Sequence, residues 1–82
     1  MRAHSLAVTA ETPRAGLRFH VMLNAYWEPL DFELPPFDGW RRRIDTSLDS
    51  PHDIIDWRVA PAVPSSTYRV EARSVVVLFA AV

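Results

Sequence analysis

At 82 residues the chain has room for one domain and buries about 63% of the surface its unfolded form would expose, a thin margin that makes a second packing surface valuable. A hydrophobic share of 49% excludes a disordered chain, a net charge of −1 offers no basic surface for nucleic acid, and the absence of cysteine removes disulfides, thiolate zinc sites and cysteine nucleophiles. No apolar run reaches the about 18 residues of a membrane span, and Met1-Arg2-Ala3-His4-Ser5 does not open a secretory signal, so a cytoplasmic protein with no membrane or nucleic-acid partner is expected.

Seven prolines and two glycines divide the chain into short segments. Ser5-Leu6-Ala7-Val8-Thr9 alternates weakly and runs into Glu11-Thr12-Pro13-Arg14-Ala15-Gly16, a turn-rich connection. Leu17 to Asn24 is the clearest half-buried strand. Leu17, Phe19, Val21 and Leu23 share one face, while Arg18, His20, Met22 and Asn24 share the other, so His20 is expected to point outward. After Trp27-Glu28-Pro29, the residues Leu30, Phe32 and Leu34 alternate with Asp31 and Glu33 until Pro35-Pro36 stops the strand.

Phe37-Asp38-Gly39 reads as a turn in which Gly39 takes positive φ. Trp40 to Thr46 follows as a strand with Trp40, Arg42 and Ile44 on one side. Its run Arg41-Arg42-Arg43 cannot be buried, so it belongs at an edge or keeps its charges at the surface, with Asp31, Glu33 or Asp45 as opposing acids. Ser50-Pro51-His52-Asp53 carries a helix-start pattern, good for one helical turn inside a long loop from Leu48 to Ser66. Tyr68-Arg69-Val70 leads into Ser74–Ala81, whose Val75-Val76-Val77-Leu78-Phe79 run is apolar on both parities and predicts a central strand covered on both faces. The predicted fold is all-β: residues 1–82 form one small antiparallel β-sandwich of about six strands, with one long loop containing a single helical turn.

Catalytic and metal chemistry find little to stand on. Asp31 and Glu33 lie about 7 Å apart on one strand face, but that face is wet and offers no shielded site for acid–base work. His4, His20 and His52 have no metal-ligand spacing. The series Asp45, Asp49, Asp53, Asp56 lacks the dense alternation and central glycine of a calcium loop, so neither a metal nor a cofactor is expected. Ser74, His20 and Asp45 have the residue types of a nucleophile triad without a nucleophile-elbow motif. Aromatic rings are the stronger signal: Tyr26, Trp27, Trp40, Trp57 and Tyr68 suit either packing or stacking on sugar C–H faces. Tyr26 and Trp27 are adjacent at a strand end, so one ring faces in and the other out.

Three segments in order resemble the C-terminal domain of bacterial glycogen debranching enzymes and isoamylases. They are His20-Val21-Met22-Leu23-Asn24-Ala25-Tyr26-Trp27-Glu28-Pro29-Leu30-Asp31-Phe32-Glu33-Leu34-Pro35, Trp40-Arg41-Arg42-Arg43-Ile44-Asp45-Thr46-Ser47-Leu48, and Tyr68-Arg69-Val70 with Arg73-Ser74-Val75-Val76-Val77-Leu78. His4-Ser5-Leu6-Ala7-Val8 is similar to the strand that opens the core of that domain. The resemblance implies a β-sandwich beside a (β/α)₈ barrel that hydrolyses α-1,6 branch linkages in glycogen-like glucans and holds every catalytic carboxylate. None of the barrel motifs occurs here, and the segment that usually leads into the domain is not recognisable. The chain is therefore expected to be a detached tail, a truncated gene product or an excised piece of such an enzyme.

The function this implies is a non-catalytic accessory domain that packs against and stabilises a barrel. Asn24, Tyr26, Trp27 and Glu28 form the expected contact surface for barrel or glucan, because they crowd one strand end and mix apolar rings with polar tips. Two alternatives stand beside it: a free-standing glucan-binding adaptor, and a homo-oligomer that uses the barrel-facing patch.

Overall fold

The computed structural model describes residues 5–12, 14–36 and 39–81. The fold is all-β, with six strands: β1 (Ser5–Thr12), β2 (Leu17–Asn24), β3 (Leu30–Glu33), β4 (Arg41–Asp45), β5 (Thr67–Val70) and β6 (Ser74–Ala81). They make two antiparallel sheets, a four-stranded one in the order β1-β2-β6-β4 and a two-stranded one, β3-β5. The sequence readings placed on His4, Pro13, Phe37 and Asp38 lie outside the described residues.

The small sheet covers only part of one face of the large one. Between them lie Met22 from β2, Val76, Leu78 and Ala80 from β6, Val70 from β5, and Leu34 and Trp40 from the adjoining loops. Phe32, Val63 and Tyr68 close the rim. The β3 alternation holds as predicted: Asp31 and Glu33 are exposed while Leu30 and Phe32 turn inward. Gly39 adopts φ +93°, a value that a side chain resists, so the turn at that position needs glycine.

Four expectations are corrected. First, β2 presents the opposite face to the core: His20, Met22 and Asn24 are buried, whereas Val21 and Leu23 are exposed. The more apolar set faces out because the small sheet lies on the other side. Second, β6 is central, between β2 and β4, but its outer face is incompletely covered: Phe79 is buried whereas Val75 and Val77 stay half-buried.

Third, no helical turn forms after Ser50. The segment makes a tight turn, with His52 N–H donating to the Asp49 carbonyl at 2.7 Å, then runs extended along the outer edge of β4. Asp45 N–H donates to the Asp53 carbonyl and Ile55 N–H to that of Arg43, and bridges join Ile44 to Ile54 and Arg41 to Ala62. Pairing with an open strand edge satisfies more backbone groups than a lone helical turn, which nucleates poorly.

Fourth, among the described residues no ion pair joins the arginine run to Asp31, Glu33 or Asp45, although Arg42 turns inward toward Tyr68, the hydrogen-bond partner of Asp45. The β4–β6 register shifts between Arg42 and Ile44, leaving Arg43 as an extra residue. The bulge sends Ile44 to the outer face with Arg41 and keeps Arg42 inward with Trp40, which breaks the simple alternation. Arg41 Nε donates to the Ala60 carbonyl at 2.9 Å and Arg43 to that of Ile55, so these two guanidiniums hold the long loop in place.

Candidate interaction surface

β2 crosses to β3, and β5 to β6, at two corners that meet where Asn24 pairs with Ser74. Asn24 is completely buried. Its Nδ2 donates to the carbonyls of Glu28 (2.9 Å), Val70 (3.0 Å) and Glu71 (3.2 Å), and its Oδ1 accepts the Tyr26 N–H at 2.9 Å. One amide therefore brackets both corners, and no neighbouring molecule can reach it. Of the other residues expected at the contact surface, Trp27 is 67% exposed, while Tyr26 and Glu28 are half-buried. The rings of Tyr26 and Trp27 sit 5.5 Å apart at 46°, one partly inward and one outward.

The remaining aromatics divide between core and surface. Trp40 is buried, with its indole N–H donating to the Pro35 carbonyl at 3.3 Å. Tyr68 donates its hydroxyl to Asp45 Oδ2 at 2.6 Å, and burial together with that carboxylate pushes its pKa up to about 12. Trp57 is 55% exposed and borders a surface cleft of about 340 Å³ shared with Leu17, Arg41, Arg58 and Phe79.

Among the described residues, the groups capable of catalysis are each engaged with a different partner. Asp31 is exposed and paired with Arg69 Nε at 3.1 Å. His20, Asp45 and Ser74 are all buried, yet each is held by a different partner: Thr9 Oγ1 at 2.9 Å from His20 Nδ1, Ser47 and Tyr68 on Asp45, and the Ala72 carbonyl under Ser74 Oγ. His20 also leans on Trp40, at 5.8 Å between ring centres, and its Nε2 has no hydrogen-bond partner. Burial lowers its pKa because the charged ring would lose water without gaining an acceptor. Among the described residues no group of three or more His, Asp or Glu side chains could hold a metal ion. No helix there is long and apolar enough to cross a membrane.

What the fold does assemble is an apolar sheet face. Register places Val8, Val21, Val77 and Ile44 in one row across β1, β2, β6 and β4, with Leu6, Leu23 and Val75 in the adjacent row. Exposure reaches 57% at Leu6, 48% at Val8, 37% at Val21 and 39% at Leu23. Near Phe79, which is buried, Trp57 and Arg58 of the long loop border the same cleft at one end of this outer face.

Sequence reasoning missed this face because the same alternation was consistent with either side being inward. The pairing of two apolar rows across four strands could be found only once the register was known. The sequence matches no family model and no curated protein.

Proposed function

We propose that the chain is a non-catalytic accessory β-sandwich domain that packs through the outer face of its large sheet against a catalytic (β/α)₈ barrel, as the C-terminal domain of glycogen debranching enzymes does. The observation that carries this reading is the open pair of apolar rows, Leu6–Leu23–Val75 and Val8–Val21–Val77–Ile44. A cytoplasmic monomer gains nothing by leaving such a patch in water, whereas a domain that braces a larger body needs it. Support also comes from the resemblance of the Asn24–Pro29 segment, where Asn24 secures the corner that the motif encodes.

The free-standing glucan adaptor draws less support. Sugar platforms favour flat, exposed rings, and Tyr26 and Trp27 are inclined at 46° to one another. Two measurements test the proposal. Co-expression with the barrel of a debranching enzyme yields a stable complex, and Leu23→Asp together with Val21→Asp abolishes it while circular dichroism of the isolated domain is unchanged. The isolated chain releases no branches from glycogen and shows no saturable tryptophan quenching when glycogen is added. Branch cleavage by the chain alone overturns the proposal, and saturable quenching without complex formation moves the assignment to the adaptor.

A further inference from the structure

A second surface lies at right angles to the apolar face: the free edge of β1. This strand ends the large sheet, and all eight of its residues are exposed. The opposite end of the same sheet is not comparable, because the long loop bridges β4 at Ile44 and Arg41. The small sheet's strands are only four residues long and carry Asp31, Glu33 and Arg69. A long open edge normally carries a guard: a lysine, a proline or a bulge that prevents another strand from adding to it. Between Ser5 and Thr12 there is none of these, and the β1–β2 register runs without a shift through eight pairs. The single charge on the strand, Glu11, is already paired with Arg18 at 3.1 Å.

We infer that β1 pairs edge to edge with β1 of a second copy of this chain, antiparallel, about a two-fold axis that runs normal to the sheet midway between the two copies of Val8. Three features select this occupant. An axis normal to the sheet keeps outer residues beside outer residues only if it sets a residue opposite its own copy rather than opposite its chain neighbour, since side chains alternate faces. Centred on Val8, it sets Val8 opposite its own copy, Leu6 opposite Ala10, Ala7 opposite Thr9 and Ser5 opposite Glu11. Aliphatic groups then meet aliphatic groups on the outer face, and no like charges are opposed. The row Ile44–Val77–Val21–Val8 continues into its mirror series in the partner, so the apolar face runs unbroken across both copies.

This pairing uses main-chain groups at the edge and leaves the outer face open, so it stands apart from the barrel-docking proposal and does not depend on it. One strand edge buries less than the about 1,000 Å² of a lasting interface, and a weak, concentration-dependent dimer follows.

The test uses the isolated chain. Sedimentation at about 1 μM and about 1 mM protein shows a monomer at the first and a dimer at the second. Val8→Lys sets two ammonium groups directly opposite each other and leaves a monomer at both concentrations. Val21→Lys lies one strand further in, about 15 Å from its copy and beyond a Debye length, and retains the dimer. The chain has no cysteine, so single nitroxide labels go on cleanly. A label on Val8→Cys shows strong dipolar broadening, with backbones about 5 Å apart, and one on Val21→Cys shows much weaker broadening. A monomer at about 1 mM overturns the inference. So does loss of the dimer in Val21→Lys to the same degree as in Val8→Lys, which would mean that the copies meet face to face.

Discussion

Asn24 Nδ2 donates to the carbonyl of Val70 at 3.0 Å, joining residues 46 positions apart in the chain. The bond crosses from the end of β2 to the end of β5, and the same amide reaches Glu28 and Glu71 on either side. The two corners of the sandwich are therefore fastened by one side chain whose polar atoms are all used inside the protein. A motif that reads in sequence as a binding surface turns out to be centred on a structural bracket.

Removing that bracket leaves the buried Val70 carbonyl without this donor and releases the part-buried carbonyls of Glu28 and Glu71. Asn24→Ala is expected to cost about 3 kcal/mol, a large share of the about 4–12 kcal/mol available to a domain of this length. Glu28→Ala removes no contact made by Asn24, which uses only the Glu28 backbone, and changes stability by less than about 0.5 kcal/mol. Urea unfolding of both variants checks the contrast.

Neighbouring residues of β2 should respond oppositely to truncation. Met22 is fully buried, so Met22→Ala costs about 2–5 kcal/mol. Leu23 is 39% exposed on the outer face, and Leu23→Ala in the isolated chain costs about 1 kcal/mol or less. Equal costs would mean that both faces of β2 are covered.

Stability falls as the solution becomes acidic because of His20. Its pKa is lowered in the folded protein by burial, so below about pH 6.5 the unfolded chain takes up a proton that the native one refuses. The contribution is complete above the unfolded value and declines as pH drops through the folded one. His20→Gln is expected to flatten the change in urea midpoint between neutral pH and the lower end of that window.

Tyr68 governs the alkaline limb. Its hydroxyl keeps the proton until about pH 12 because burial and Asp45 disfavour the phenolate, so stability declines from about pH 10, where the unfolded tyrosine ionises, up to that value. Tyr68→Phe removes the bond to Asp45, costs about 1–2 kcal/mol at neutral pH, and eliminates the late step in a tyrosinate absorbance titration.

Much of this architecture was legible in the chain itself. Prolines at 29, 35 and 36 and glycines at 16 and 39 set where strands stop, period-two alternation placed β2 and β3, and a continuous apolar run placed β6, each close to its observed bounds. Composition alone excluded thiol chemistry, and the period and punctuation of the segments made about six short antiparallel strands the natural arrangement. These are local properties, set by φ restriction and side-chain alternation, and they need no knowledge of what lies across the core.

Which face of β2 points inward, which carbonyls Asn24 reaches, and how the bulge at Arg43 redirects Ile44 were decided by tertiary packing. The small sheet has two strands to lay on a sheet of four, and it covers the side carrying His20, Met22 and Asn24. The more apolar side was thereby left outward, with β1 uncovered on both faces. Alternation tells only that two faces differ. Burial is settled by contacts between residues far apart in sequence, and those exist only once the strands have paired.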